Sequence, residues 1–290
     1  MNTSRPAIGA VVLTMNNRPG EFPVAMSSLL AQEGVDLDVV VVGNGCEPEL
    51  VPDGVKTVAL PVNVGIPEGR NIGAAGVGGD LIFFFDDDAV LPSPGVLRRL
   101  ADQFALDSRR AFVQPRIADP RTGRTLRRWV PRLRASDPAR AGTVTVMAEG
   151  VVMVRREAFE AVGGWPGHFF LFHEGVDLAW RLWDRGFTGH YAGDVVVNHP
   201  ATDPARHAAF YRLNARNRVW LALRNLPAPL VPVNLAVWAL VTLWRFRDPA
   251  VLRTSLAGFV EGVKGGYGTR APMSWSTAAR LTRAGRPPFC

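Results

Sequence analysis

The chain has 290 residues, 47% apolar and 20% charged, which excludes a disordered polypeptide and suits one large α/β unit with a helical extension. Its two cysteines, Cys46 and Cys290, exclude a disulfide framework or a thiolate metal cluster, and no secretory signal pattern precedes Ile8, so a reducing cytoplasm is expected. The net charge of +7 resides in residues 201–290, where 13 Lys and Arg face 3 Asp and Glu; this fits either an anionic partner (membrane surface, lipid phosphate or nucleic acid) or a solvated basic face.

Ile8–Leu13 is a short apolar run that ends in Thr14-Met15-Asn16-Asn17-Arg18-Pro19, as a buried strand entering a loop does. Phe22, Met26, Leu29 and Leu30 then recur at helical spacing until Gly34. Leu37–Val42 is a second strand closed by Gly43-Asn44-Gly45, and Val55–Leu60 a third. Asn63–Gly79 opens as a Gly-rich loop and continues as a helix. Asp80–Phe85 is a fourth strand, stopped by Asp86-Asp87-Asp88. This rhythm predicts an open, mostly parallel sheet with helices on both faces, whose ligands bind beyond the carboxyl ends of the strands. The loops at Thr14–Arg18, Gly43–Gly45 and Asp86–Asp88 are therefore expected to converge on one crevice.

Farther along, Pro94–Phe104 reads as a helix and Ala111–Ile117 as a strand. Arg121 to Arg140, with turn residues Pro120 and Gly123, is expected to form a hairpin or a mobile loop. Val144–Val154 is strand-like around Glu149-Gly150, and Arg156–Val162 a short helix stopped at Gly163-Gly164. Glu174–Asp184 is helical to Gly186, residues 187–197 are strands, and Pro204–Asn225 a long helix. Leu226–Trp244 is apolar, but Pro227, Pro229 and Pro232 break its start and Asn234 interrupts it. A spanning helix needs about 20 apolar residues, so peripheral contact with anionic lipid, helped by Arg245, Arg247 and Arg253, is the expectation, against packing on the rest of the chain.

Three adjacent carboxylates closing an apolar strand repel one another, and a helix cap needs only one of them. A divalent cation explains them better: Mg²⁺ or Mn²⁺ takes one or two protein carboxylates and keeps its other positions for phosphate oxygens and water. Such an ion neutralises charge building on a leaving diphosphate. A second group is His173-Glu174-Gly175-Val176-Asp177, with Arg181 after it. On a helix Glu174, Asp177 and Arg181 fall within roughly 60° of one face. Either they are acids favoured by a helix N-terminus, or one is a general base with its pKa adjusted by its neighbours. His199, after a strand and before Pro200, is either structural or a nitrogen ligand.

In order, VVLTMNNRP (residues 11–19), NVGIPEGRNIGAA (63–75), FFFDDDAVL (83–91), AEGVVMVRREAFEAVGGW (148–165) and FFLFHEGVDLAWRLWDRGF (169–187) resemble glycosyltransferase family 2 and its bacterial rhamnosyl- and galactofuranosyltransferase-like branch. The resemblance runs from about Ile8 to Asn225. It implies a GT-A, Rossmann-like fold over residues 1–225, with a nucleotide-binding half to about 118, an acceptor-side half from 119, and a basic, apolar helical extension over 226–290. It also implies an inverting transferase that uses a divalent metal, Mg²⁺ or Mn²⁺. The donor would be a nucleotide-diphosphate sugar (dTDP- or UDP-linked, rhamnose first). The acceptor would be a hydroxyl on a glycan, a lipid-linked glycan or a small natural product, with no nucleic acid partner.

By the same resemblance Thr14, Asn16, Arg18, Asn44, Asn63, Arg70, Asp86 and Asp87 contact the nucleotide sugar. Asp88 and Asp86 hold the metal with His199, and the base is Asp177 or Glu174, with Asp177 slightly preferred. Two departures stand out. Gly43 replaces an Asp that reads the base or ribose, and Gly175 replaces the Asp usually favoured as base. A nucleotidylyltransferase, or a catalytically altered sugar-nucleotide-binding module, is the alternative.

Overall fold

The computed structural model describes residues 5–133, 137–148, 150–203 and 209–289. Its centre is an eight-stranded sheet ordered β3-β2-β1-β4-β7-β5-β8-β6. The strands are β1 (Ala7–Thr14), β2 (Asp36–Asn44), β3 (Lys56–Leu60), β4 (Leu81–Asp86), β5 (Arg110–Ala118), β6 (Gly142–Val144), β7 (Val151–Arg155) and β8 (Thr188–Asn198). β1 to β4 pair in parallel, as do β5 and β8; β7 lies antiparallel between β4 and β5, and β6 antiparallel to β8. The architecture is thus the expected mixed α/β one, and the sheet is parallel in its first half.

Alternation along each strand builds two cores. Val11, Val40, Val42, Phe84, Val152 and Val154 point to one face, and Ala10, Val12, Val39, Val41, Phe83, Phe85 and Met153 to the other. α1 (Glu21–Leu30) covers the second face through Phe22, Ala25, Met26 and Leu29, the i, i+3, i+4, i+7 stripe of an amphipathic helix. α3 (Val96–Ala105) joins it with Leu97, Leu100 and Phe104. The first face packs against α4 (Arg156–Ala161), α5 (Glu174–Asp184) and the C-terminal helices. Each fully buried Leu or Phe contributes about 1.5–3 kcal/mol relative to exposure, so both faces are covered on energetic grounds.

Two segments differ from the sequence expectation. The apolar run 144–154 does not form one strand: β6 ends at Val144 and β7 begins at Val151, with Gly150 between them and Glu149 outside the described residues. The Arg-rich stretch carries a turn at Asp119–Gly123 and a 3₁₀ turn at Arg127–Trp129, with no strand among its described residues.

After α6 (Phe210–Asn225), the apolar tail folds as α7 (Leu230–Arg245), followed by α8 (Pro249–Val263) and α9 (Trp275–Arg283). The first residues of the helix expected from Pro204 lie outside the described residues. The prolines do not break α7, because Pro227 and Pro229 precede it and Pro232 sits in its first turn, where backbone N–H groups have no helical partner anyway. Asn234 is 3% exposed and donates to the Pro288 carbonyl oxygen, so it anchors the chain's end. Among the described residues no helix is long and apolar enough to cross a membrane.

Candidate active site

Parallel pairing puts Thr14 opposite Gly43 and Leu13 opposite Asp86, so β1, β2 and β4 deliver their polar ends to one edge. An open cavity of about 1250 Å³ begins there. Arg18, Asn44, Asn63, Arg70, Asp86, Asp87 and His199 line it, as do Phe170, Phe172, Val176 and residues of α6 and α7.

The acids sit against His199 because backbone pairing forces them together. Val90 and Asn198 exchange N–H···O bonds of 2.8 and 2.9 Å, which lays the segment after β4 along the end of β8. His199 Nε2 then stands 3.3 Å from Asp86 Oδ2 and 3.2 Å from Asp88 Oδ1. One ligand atom from each of the three residues lies within 4.8 Å of the others. His199 Nδ1 is 2.9 Å from the Pro200 carbonyl oxygen, which can only accept, so in the neutral ring Nε2 carries the lone pair. Two carboxylate oxygens and an imidazole nitrogen this close together are a hard donor set for a divalent cation. Gly150 keeps the place open: a Cβ there would lie 2.5 Å from Asp86 Oδ2. The residues present therefore fit a metal ion.

Electrostatics around the triplet are tuned by two arginines. Arg18 Nη1 reaches Asp87 Oδ1 and Asp88 Oδ2, each at 2.7 Å. Arg70, 3% exposed and set over the Phe84 and Trp165 rings, reaches Asp86 Oδ1 at 2.8 Å. Burial opposes the Asp86 charge, but His199, Arg70 and Arg18 outweigh it and hold its carboxyl below the ordinary range. Burial, with Asp86 and Asp88 adding to it, pushes Asp87 up to about 6 against the pull of Arg18 and the Thr14 hydroxyl. Burial also opposes the charge on His199, yet Asp86 and Asp88 raise it.

The remaining nucleotide-side residues shape loops. Asn44 donates to Asn63 Oδ1 at 2.9 Å and accepts from Val64 N at 2.9 Å, which ties β2 to the entry of α2 (Ile66–Ala75). Asn16, at φ 56°, bridges to the Glu47 carbonyl and the Glu49 N–H. Gly65 has φ 87°, and a Cβ there would sit 2.6 Å from Phe170, whose carbonyl receives the Ile66 N–H. At Gly43 a Cβ would lie 2.2 Å from the Cys46 carbonyl oxygen, so the turn after β2 occupies the space that an Asp side chain would need.

On the acceptor side, Asp177 is 0% exposed and both its oxygens are engaged. Arg181 Nε lies 2.6 Å from Oδ2; Asn225 Nδ2 and Arg224 Nε lie 2.8 and 3.0 Å from Oδ1. Glu174, in the first turn of α5, is 1% exposed, between the cavity-lining Phe172 and Val176 in sequence. The Arg216-Asn217 pair braces the preceding loop: both side chains donate to the Phe169 carbonyl, and Asn217 also to those of Leu171 and Phe172. Phe170, Phe172 and His173 there have φ near 70°. Sequence reasoning missed Gly150, Trp129, which packs edge-on to His199, and the cavity wall formed by Arg218, Trp238, Arg245 and Arg286. The Arg after Arg216-Asn217 was the one available signal for that wall.

Residues 81–261 match glycosyl transferase family group 2. No curated protein matches the chain. Among solved structures, a mannosyltransferase from Pyrobaculum calidifontis, PcManGT, in complex with GDP-Man and Mn²⁺, is similar with TM-score 0.59 and 20% identity over 97% of this chain and 80% of that one. GalNAc-T7 with UDP, GalNAc and Mn²⁺ has TM-score 0.61 and 13% identity over 90% of this chain and 56% of its own. S. aureus TarS 1–349 with UDP has TM-score 0.60 and 15% identity over 88% and 80%. At these identities the likeness is one of fold, the GT-A arrangement.

Proposed function

The chain belongs to glycosyl transferase family group 2, and from that premise we propose that it moves a sugar from a nucleotide-diphosphate donor to an acceptor hydroxyl by a single, inverting displacement. The observation that carries this reading is the meeting of Asp86, Asp88 and His199 at one end of a 1250 Å³ cavity whose walls continue onto α6 and α7. GDP-Man and UDP in the similar structures support a nucleotide-sugar donor; a dTDP- or UDP-sugar, rhamnose first, remains our choice.

Asp86, Asp88 and His199 would hold Mg²⁺ or Mn²⁺, which when bound supplies positive charge opposite the leaving diphosphate. Arg18 pairs with Asp87 and Asp88, and Arg70 with Asp86, which fixes the orientation of these carboxylates. Asn44 and Asn63 hold the Gly65 loop that borders the donor. For the acceptor proton we assign Glu174, because Asp177 is committed to Arg181, Arg224 and Asn225. Two hydrogen bonds and a second ion pair occupy both of its oxygens. Transfer and donor hydrolysis, measured with a panel of nucleotide sugars with and without Mn²⁺, test the proposal. No Mn²⁺-dependent turnover with any donor would overturn it.

A second reading, a sugar-nucleotide-binding module without turnover, is favoured by the absence of a side chain at Gly175 and the engagement of Asp177. Donor binding without any hydrolysis would select it. We also propose peripheral attachment to an anionic membrane, at its inner face. Leu240, Leu243, Trp244, Leu256 and Val260 are exposed on α7 and α8, and Arg245, Arg247 and Arg253 lie on or beside those helices. Co-sedimentation with anionic liposomes at low salt tests this, and no binding would refute it.

A further inference from the structure

Almost every half-buried arginine around the site has a carboxylate to answer it. Arg18 and Arg70 face Asp86–Asp88, Arg181 and Arg224 face Asp177, and Arg216 faces Glu261. Arg218 is different. It projects from α6 into the cavity wall, donates from Nε to Asn214 Oδ1 at 3.0 Å, and stacks 3.4 Å from the centroid of the Trp238 ring on α7. Arg245, at the end of α7, lines the same wall, as does Arg286. Among the described residues no carboxylate is ion-paired with Arg218 or Arg245. Burial and the like charges of Arg286 and Arg245 pull the Arg218 guanidinium down to about 9.

Taking a cation such as Arg218 partly out of water without counter-charge is costly, and a bound anion would offset that cost. Guanidinium groups present planar forks that match phosphate oxygens, and the Trp238 stack fixes the orientation of Arg218 before any ligand arrives. The donor diphosphate already has the Asp86–Asp88–His199 centre and its arginines.

We propose that Arg218 and Arg245, with Trp238 between the helices, form an anion subsite that binds the phosphate or diphosphate group of a phosphorylated acceptor. This rests on reading the cavity as a glycosyl-transfer site, and it specifies the acceptor's class.

The test is isothermal titration of the full chain in EDTA with inorganic pyrophosphate and, separately, farnesyl diphosphate. Pyrophosphate should bind without metal, and Arg245→Gln, an exposed position that leaves the fold intact, should weaken it about tenfold. Asp88→Asn should leave that binding unchanged while it abolishes Mn²⁺-dependent donor binding. Tighter binding of farnesyl diphosphate than of pyrophosphate supports a lipid-borne acceptor, and equal binding a soluble phosphorylated one; both uphold the subsite. No metal-free binding, or binding indifferent to Arg245→Gln, overturns it. Loss of the donor reading would appear separately, as no Mn²⁺-dependent donor binding by the unaltered chain.

Discussion

Asn217 Nδ2 lies 2.7 Å from the carbonyl oxygen of Leu171 and 2.9 Å from that of Phe172, so one amide on α6 fixes the loop leading into α5. That loop carries left-handed residues at Phe170, Phe172 and His173, a conformation that costs free energy unless its surroundings hold it. Asn217 is 0% exposed, and Asn217→Asp would replace its donors with a carboxylate facing carbonyl oxygens. The variant should lose roughly 2–3 kcal/mol in urea unfolding. A loss below 0.5 kcal/mol, on the order of an ordinary surface substitution, would show that the amide is not the brace.

The metal centre predicts a separation of binding from folding. Asp88→Asn should abolish the Mn²⁺-dependent thermal shift produced by a donor nucleotide while leaving the apo protein folded. Gly150→Val should do the same by steric means, since even a Cβ would lie 2.5 Å from Asp86 Oδ2. An undiminished shift in both variants would remove the metal assignment.

Much of this arrangement is legible in the sequence. Strand ends announced themselves because apolar runs stopped at Thr14, Gly43-Asn44 and Asp86, and parallel pairing then puts those ends on one edge. His199 was harder, since only the Val90–Asn198 bridge brings it to the acids, and such a pairing leaves no local pattern. The contacts of Asp177 were invisible because Asn225 and Arg224 reach it from about 48 residues away. Proline positions misled at α7: the sequence counts breakers, whereas the helix registers only where in its turns they fall. The Arg218–Trp238 stack joins two helices whose facing sides cannot be assigned from periodicity alone.

Acid should unfold the protein through its histidines. Burial, then Arg218 and Arg286, push His173 down to about 3, against hydrogen bonds with Asn214; burial and Arg110 push His190 down to about 4. In the unfolded chain both protonate near their ordinary value of 6.5. Below that value the unfolded state holds more protons, so stability is complete above it and falls with pH down to about 4 for one group and 3 for the other. Each contributes at most about 1.4 kcal/mol per pH unit. His173→Asn, which tolerates the left-handed φ of 69°, should reduce the slope of unfolding free energy between pH 6 and 4, about the middle of that window. An unchanged slope would show that His173 protonates normally.

The two acids of α5 should separate by what each variant loses. Asp177→Asn removes the charge between Arg181 and Arg224, whose side chains are 11% and 16% exposed, and leaves two cations facing an amide. Breaking a buried pair from one side costs about 3–5 kcal/mol, so this variant should be chiefly unstable. Its remaining folded fraction should turn over at a rate close to that of the unaltered chain. Glu174→Gln keeps size and polarity but cannot take a proton. With the acceptor's proton left in place, turnover should fall by roughly 10²–10⁴-fold while donor affinity and unfolding free energy change little. Turnover corrected for folded fraction, donor affinity and urea unfolding should therefore be measured on both variants. If Glu174→Gln keeps near-normal turnover and folded Asp177→Asn does not, the proton goes to Asp177 despite its three partners, and the assignment of roles on this helix is reversed.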